Sequence, residues 1–148
     1  MTTQVTLRRL TLSDAPQLQV ISETALGYPF SLEETEKQLE RCLANDSHFL
    51  IGAVDETDQV IGYVQAQIYE AIYSERGLNV LGLAVSLDHQ GQGIGHLLME
   101  ELERQALEAD LAFIRLNSGS HRLEAHAFYR KIGYNGDKTQ VRFIKELR

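Results

Sequence analysis

Among its 148 residues the chain has one cysteine and two prolines, and no apolar run approaches the ~18 residues of a membrane span. The lone Cys42 excludes an intramolecular disulfide and a cysteine-built metal cluster. Such thiol usage suits a reducing, cytoplasmic setting. Repeats, low-complexity tracts and Pro- or Ser-rich linkers are missing, so residues 1–148 read as a single domain. The opening MTTQVTLRRL lacks the apolar stretch of a signal peptide, and no leader is expected. Positive charge is scarce: 14 Lys and Arg stand against 21 Asp and Glu, a net charge of −7. A nucleic-acid partner, which needs a basic patch, is not expected, nor is a membrane partner. The same acidity would steer a cationic substrate towards the protein, or would merely keep a small domain soluble.

What is present is an ordinary globular mixture, 43% hydrophobic and 24% charged, with its periodicity in short blocks. Val5, Leu7 and Arg9 alternate as a first strand. Ser13 reads as an N-cap with Asp14 in the first turn, opening a helix with Leu18, Ile21 and Ala25 on one face. Gly27 and Pro29 break it, and Ser31 with Glu34 forms a capping box for a second helix reaching Leu43, with Cys42 a packing residue. His48 to Val54 and Val60 to Ile68 are apolar runs around DETDQ, which suits a hairpin. Leu78 to Val85 reads as a buried strand. A helix with the stripe Ile94, Leu98, Leu102 and Ala109 follows, then a strand from Ala112 to Leu116. A helix from Arg122 to Lys131 with Gly133 as its C-cap precedes a last alternating strand, Gln140 to Lys145. The order β-α-α-β-β-β-α-β-α-β is α/β of mixed α+β type and identifies no function by itself.

The chemistry is concentrated in LGLAVSLDHQGQGIGHLLMEELE, where a strand runs through Gln90-Gly91-Gln92-Gly93-Ile94-Gly95 directly into a helix. Backbone N–H groups in such a turn, with the helix N-terminus behind them, form a nest for phosphate, and glycines permit close approach. A dinucleotide motif would need a third glycine where His96 stands, and a P-loop would need Lys followed by Ser or Thr in place of His96-Leu97. The spacing filled is Gln/Arg-x-x-Gly-x-Gly/Ala, by Gln90, Gly93 and Gly95, after Leu83-Ala84-Val85. In this the chain resembles the acetyl-CoA motif of the GNAT superfamily of N-acetyltransferases. It departs in having Leu87 where the family often has proline. A second segment, HRLEAHAFYRKIGY, is similar to the family's A-x-x-x-Y-x-x-x-G-Y/F signature through Ala125, Tyr129, Gly133 and Tyr134. Its R-x-E-A-H-x-F-Y wording, with the ending V-R-F-I-K-E-L, is similar to small-molecule members, such as aminoalkylphosphonate and aminoglycoside acetyltransferases.

The resemblance implies the GNAT fold, a central mixed, mostly antiparallel twisted sheet flanked by helices. It implies direct transfer of acetyl from acetyl-CoA, a co-substrate, to a small-molecule amine in a ternary complex, with a homodimer common among similar proteins. Leu83, Ala84, Val85, Gln90, Gly91, Gln92, Gly93, Ile94, Gly95, Asn117 and Arg122 would contact the cofactor. Arg122 stays open between a cofactor or substrate contact and a solvated helix start. Tyr129 would protonate the leaving thiolate, although Ala125, Phe128, Tyr129 and Ile132 also form a stripe that suits a core tyrosine. Tyr28, Phe30 and Glu70 are the candidate acceptor-binding residues. Asn79 stands where many relatives carry an acidic base, leaving Glu70, Glu75 and Glu23 as weak substitutes. His121 and His126 are five apart and no H-E-x-x-H occurs, so no metal is expected. A non-catalytic acyl-CoA-binding or regulatory domain is the alternative; it would keep the glycine loop without turnover.

Overall fold

Arg8 organises the start of the chain, as seen in a computed structural model that describes residues 4–148. Met1, Thr2 and Thr3, the beginning of the stretch expected not to be a leader, lie outside those residues. From the first strand, β1 (Thr6–Arg9), the Arg8 guanidinium donates to both carboxylate oxygens of Asp14, each at 2.9 Å. The Thr11 N–H adds a bond to Asp14 at 2.7 Å. Residues Leu12–Asp14 are thereby wound into a 3₁₀ turn capped by Thr11, and α1 (Ala15–Leu26) begins only after it. The expected N-cap at Ser13 is thus corrected to Thr11 and Asp14, because the carboxylate is held from the strand side. Gly27 closes α1 in the left-handed region at φ 77°. Ser31 then caps α2 (Leu32–Leu43), its Oγ accepting from the Glu34 N–H at 3.1 Å.

Both expected hairpin strands form, as β2 (His48–Val54) and β3 (Val60–Tyr69), and β4 (Gly77–Val85) follows. A 15-residue helix, α3 (Ile94–Glu108), crosses to a short β5 (Ile114–Leu116). The α3 stripe buries Ile94, Leu98, Met99, Leu102 and Ala106, while Ala109 is exposed beyond the last turn, so the stripe ends at Ala106. The sheet order is β1-β2-β3-β4-β5, antiparallel throughout except for the parallel β4–β5 pair that the α3 crossover requires. Neighbouring β3 residues face opposite sides. Tyr63 packs with Leu18, Ile21 and Leu39 of α1 and α2. A Cβ on Gly62 would instead meet Ile94 and Leu98 of α3 at 3.2 and 3.5 Å. Two apolar layers, one on each face, therefore fix the sheet.

This unit ends at Leu116, and a second compact unit comprises Asn117–Arg148. Within it α4 (Leu123–Lys131) is closed by Gly133 at φ 103°, with the Tyr134 N–H bonded to the Tyr129 carbonyl at 2.9 Å. The expected strand from Gln140 to Lys145 does not form among the described residues. Val141 and Phe143 are exposed, and an alternating pattern without a neighbouring strand has no ladder to complete.

Candidate active site

Two irregularities in β4 open its edge. Along β3, Gln65 pairs with Gly82 but Ala66 pairs with Val80, so Leu81 is bulged out of the ladder. On the other side, β5 pairs only as far as Val80↔Leu116. The stretch from Leu81 to Val85, which includes Leu83 and Ala84, consequently has no strand neighbour on its β5 side among the described residues. Such an edge offers backbone donors and acceptors to an extended, amide-bearing ligand.

The glycine loop starts where that edge ends. Gln90 donates its side-chain amide to the Val85 carbonyl at 3.2 Å, tying the loop back to the strand. Gly91 and Gly93 take φ 79° and 78°, the left-handed region that costs other residues about 1–2 kcal/mol. No heavy atom lies within 4 Å of where a Cβ on either glycine would stand. Gly93 caps α3 without a side-chain hydrogen bond, and the first turn of α3 carries no acidic residue. Gly95 lies in that turn, and Ile94 is buried beneath it as the anchor of the helix. His89 Nδ1 and Gln92 Oε1 are buried without hydrogen-bond partners, leaving polar atoms beside the turn unused by the protein itself. The surface suits an anion: open space beside the glycines, an uncapped helix dipole and no acidic residue in the first turn of α3. His96 points along α3 instead, 3.2 Å from Glu100.

A cavity of about 280 Å³ lies on the α1–α2 face of the sheet. Tyr28 and Phe30, the candidate acceptor-binding residues, line it. Glu70 does not; it is exposed and pairs with Arg76 at 3.1 Å on the β3–β4 hairpin. Leu39, Cys42, Tyr63, Gln65 and Ser22 also line the cavity, and sequence reasoning did not single them out as site residues. The signal for Tyr63 and Gln65 was the period of β3, which puts both on one face; nothing local showed that the face was hollow. Tyr63 and Ser22 share a hydroxyl–hydroxyl bond of 2.7 Å, and burial pushes the Tyr63 hydroxyl above its ordinary pKa although that bond opposes the shift. Gln65 donates to Cys42 Sγ at 3.4 Å and lies 3.3 Å from His48 Nδ1. A Cβ on Gly82 would lie 3.7 Å from the Tyr63 hydroxyl, so the cavity wall and the open β4 edge meet there.

Asn79 on β4 pairs across the ladder with Arg115 on β5, which donates to its Oδ1 at 2.8 Å while resting 4.9 Å from the Tyr69 ring centroid. A side-chain amide held by a guanidinium cannot take up a proton.

The remaining site candidates belong to the second unit. Asn117 opens it, and Arg122 stands at the N-cap of α4 without a side-chain capping bond. Tyr129 is half-buried, edge-on to Phe128 at 5.2 Å and to Tyr134 at 6.1 Å. Burial raises the Tyr129 pKa above 10.0, with the Arg122 charge opposing it. His126 places Nε2 at 2.9 Å from the Gly119 carbonyl, which gives it a structural role within the unit.

Residues 15–134 match the model of the acetyltransferase (GNAT) family. An N-acetyltransferase of Bacillus subtilis (strain 168) named YhdJ is 29% identical over 127 residues, 80% of this chain and 89% of that protein. Among solved structures, a transcriptional regulator from Bacillus halodurans C-125 superposes with a TM-score of 0.86 at 18% identity, covering 96% of this chain and all of that one. An aminoglycoside antibiotic 6'-N-acetyltransferase from Acinetobacter baumannii gives 0.83 at 15% identity, covering 98% and 100%. At such identities these structures show the fold alone.

Proposed function

The chain belongs to the GNAT family of acetyltransferases, and on that premise we propose that it moves acetyl from acetyl-CoA directly onto a primary amine of a small molecule in a ternary complex. The observation that carries this reading is the continuous run from the open β4 edge through Gln90 into the left-handed glycines at the α3 N-terminus. It offers strand-like pairing for an amide-bearing arm and, at its end, a nest for diphosphate. The match from residue 15 to 134 crosses the boundary at Leu116, which supports one acetyltransferase domain built from both units.

Bound acetyl-CoA supplies an activated acyl group. The chain's own contribution is to hold it extended along Leu83, Ala84 and Val85. A backbone N–H on the open stretch of β4, near Leu83 to Val85, would stabilise the oxygen on which negative charge grows. Tyr129 donates its hydroxyl proton to the departing thiolate; a phenol whose pKa lies at or above 10.0 carries that proton at neutral pH. An alkylammonium with a pKa of about 10.4 is neutral in only about one molecule in ~2,500 at pH 7. The acceptor therefore arrives with a proton to lose. Asn79 cannot take it, so a base elsewhere, reached directly or through a water chain, would carry it away.

The bond from Arg115 to Asn79 favours one second reading, an acyl-CoA-binding domain that performs no turnover. Coenzyme A release from acetyl-CoA across an amine library separates the two. Acceptor-dependent release supports the transferase; tight acetyl-CoA binding with no release from any amine supports the binding domain. Absence of acetyl-CoA binding overturns both.

A further inference from the structure

We propose that the cavity against α1 and α2 selects a compact monoamine with an uncharged, largely apolar body, and turns away both polycationic and anionic amines. This rests on the acetyltransferase reading and concerns its acceptor. At about 280 Å³ the cavity lies at the lower edge of the ~300–1,000 Å³ typical of small-molecule sites. None of its 14 lining residues carries a formal charge. Its floor is aliphatic: Leu10, Leu18, Leu39 and Leu50 are each at most 6% exposed.

The polar groups on the walls are neutral, and several are already partnered. Ser22 and Tyr63 bond each other, Gln65 is bound to Cys42, and the Gln19 amide donates to the Phe30 carbonyl at 3.0 Å. A second ammonium on the acceptor would leave water here without a carboxylate to meet it, and a phosphonate or carboxylate would find neither Lys nor Arg. An aromatic or alkyl body loses nothing by the same transfer and gains dispersion contacts with the floor. The mouth fits that body too. The rings of Tyr28 and Phe30 are 64% and 48% exposed there, presenting apolar faces to an entering ligand. The Tyr63 hydroxyl on the cavity wall stands beside Gly82 of β4, so the reacting amine belongs there and the body lies among the leucines.

The test compares 2-phenylethylamine and hexylamine with kanamycin and aminomethylphosphonate in the full-length protein, with coenzyme A release quantified by chromatography. Cys42 is the only cysteine and lines the cavity, so its alkylation by iodoacetamide, read by intact mass, reports occupancy without turnover. The expected result is a kcat/KM for the two monoamines at least about tenfold above the charged acceptors. Slower Cys42 alkylation as monoamine is added should accompany it. Gln65→Glu, a substitution of nearly equal shape, should shift the ranking towards 1,3-diaminopropane by about tenfold by giving a second ammonium its partner. Release without protection of Cys42, or preferential acetylation of kanamycin or the phosphonate, overturns the inference and leaves the transferase standing. Protection by monoamines with no release from any amine leaves the cavity's chemistry standing and overturns the transferase. Neither release nor protection overturns both.

Discussion

Tyr129 and Asn79 are the two side chains at which the proposed proton traffic can be checked most directly. The Tyr129 hydroxyl is held above its ordinary pKa of 10.0 by burial, against the charge of Arg122. General-acid groups typically contribute ~10²–10⁴ in rate, so Tyr129→Phe should lower kcat about a hundredfold or more while the KM for acetyl-CoA stays within about twofold. Steady-state kinetics with both substrates varied decides this; an unchanged kcat moves the acid elsewhere. The sign with pH follows from the same burial. A raised folded pKa keeps the acid protonated past pH 10, so an alkaline limb from Tyr129 should fall above that value and vanish in Tyr129→Phe. Its contribution to stability is complete below about pH 10 and is lost as pH rises through the folded value. At Asn79 the neutral amide has no basic group to take a proton, and its Oδ1 instead accepts from the Arg115 guanidinium.

At the scale of elements, two junctions carry most of the consequence. Where β1 passes into α1, Asp14 is buried; that alone would raise its pKa, but the paired bonds from Arg8 and the Thr11 N–H outweigh it and hold the carboxyl below the usual range. Asp14→Asn should therefore destabilise the fold by about 2 kcal/mol in urea melts at pH 7, since it weakens a bidentate pair and leaves a guanidinium under-partnered. A depressed carboxyl stabilises above its unfolded value of about 3.9 and loses that contribution as pH falls through the folded value. The gap between wild type and Asp14→Asn should close below about pH 4. The second junction is β4 to α3. Gly93→Ala meets open space but must hold φ 78°, a strain of about 1–2 kcal/mol. Its methyl also stands where phosphate would approach. Calorimetry should show acetyl-CoA affinity down at least about tenfold with a melting temperature lowered by only a few degrees; intact affinity would remove the glycine loop from the cofactor site.

Over the whole molecule, the net charge of −7 acts on both proposed substrates with opposite sign. An ammonium acceptor is drawn in and the phosphates of acetyl-CoA are repelled, and both effects fade as the Debye length shrinks to ≈ 8 Å at physiological salt. Raising salt from low to physiological strength should lower kcat/KM for the amine by about two- to fivefold and raise it for acetyl-CoA, with kcat unchanged. Parallel responses of the two substrates would show that local charge at each site dominates the global field.

The sequence by itself determined the order of the elements as far as α4, because hydrophobic period and turn chemistry are local. The strand from His48 to Val54, the break at Gly27, the Ser31 cap and the Gly133 stop all stand where their neighbours place them. It also determined the glycine loop, since no other residue type holds Gly91 and Gly93 in the left-handed region at so little cost. What lay beyond its reach depends on partners distant in the chain. The α1 start moved past Ser13 because Arg8 reaches Asp14 from β1, and Gln140 to Lys145 stayed out of the sheet although its alternation is that of a strand. The Leu81 bulge and the early end of the β4–β5 ladder are properties of register between strands, which no single segment encodes. The cavity is a decision of packing. Leu10, Leu39, Leu50 and Tyr63 are apolar or aromatic in sequence, and only the separation of α1 and α2 from the sheet decides that they line a space with no charge in its walls.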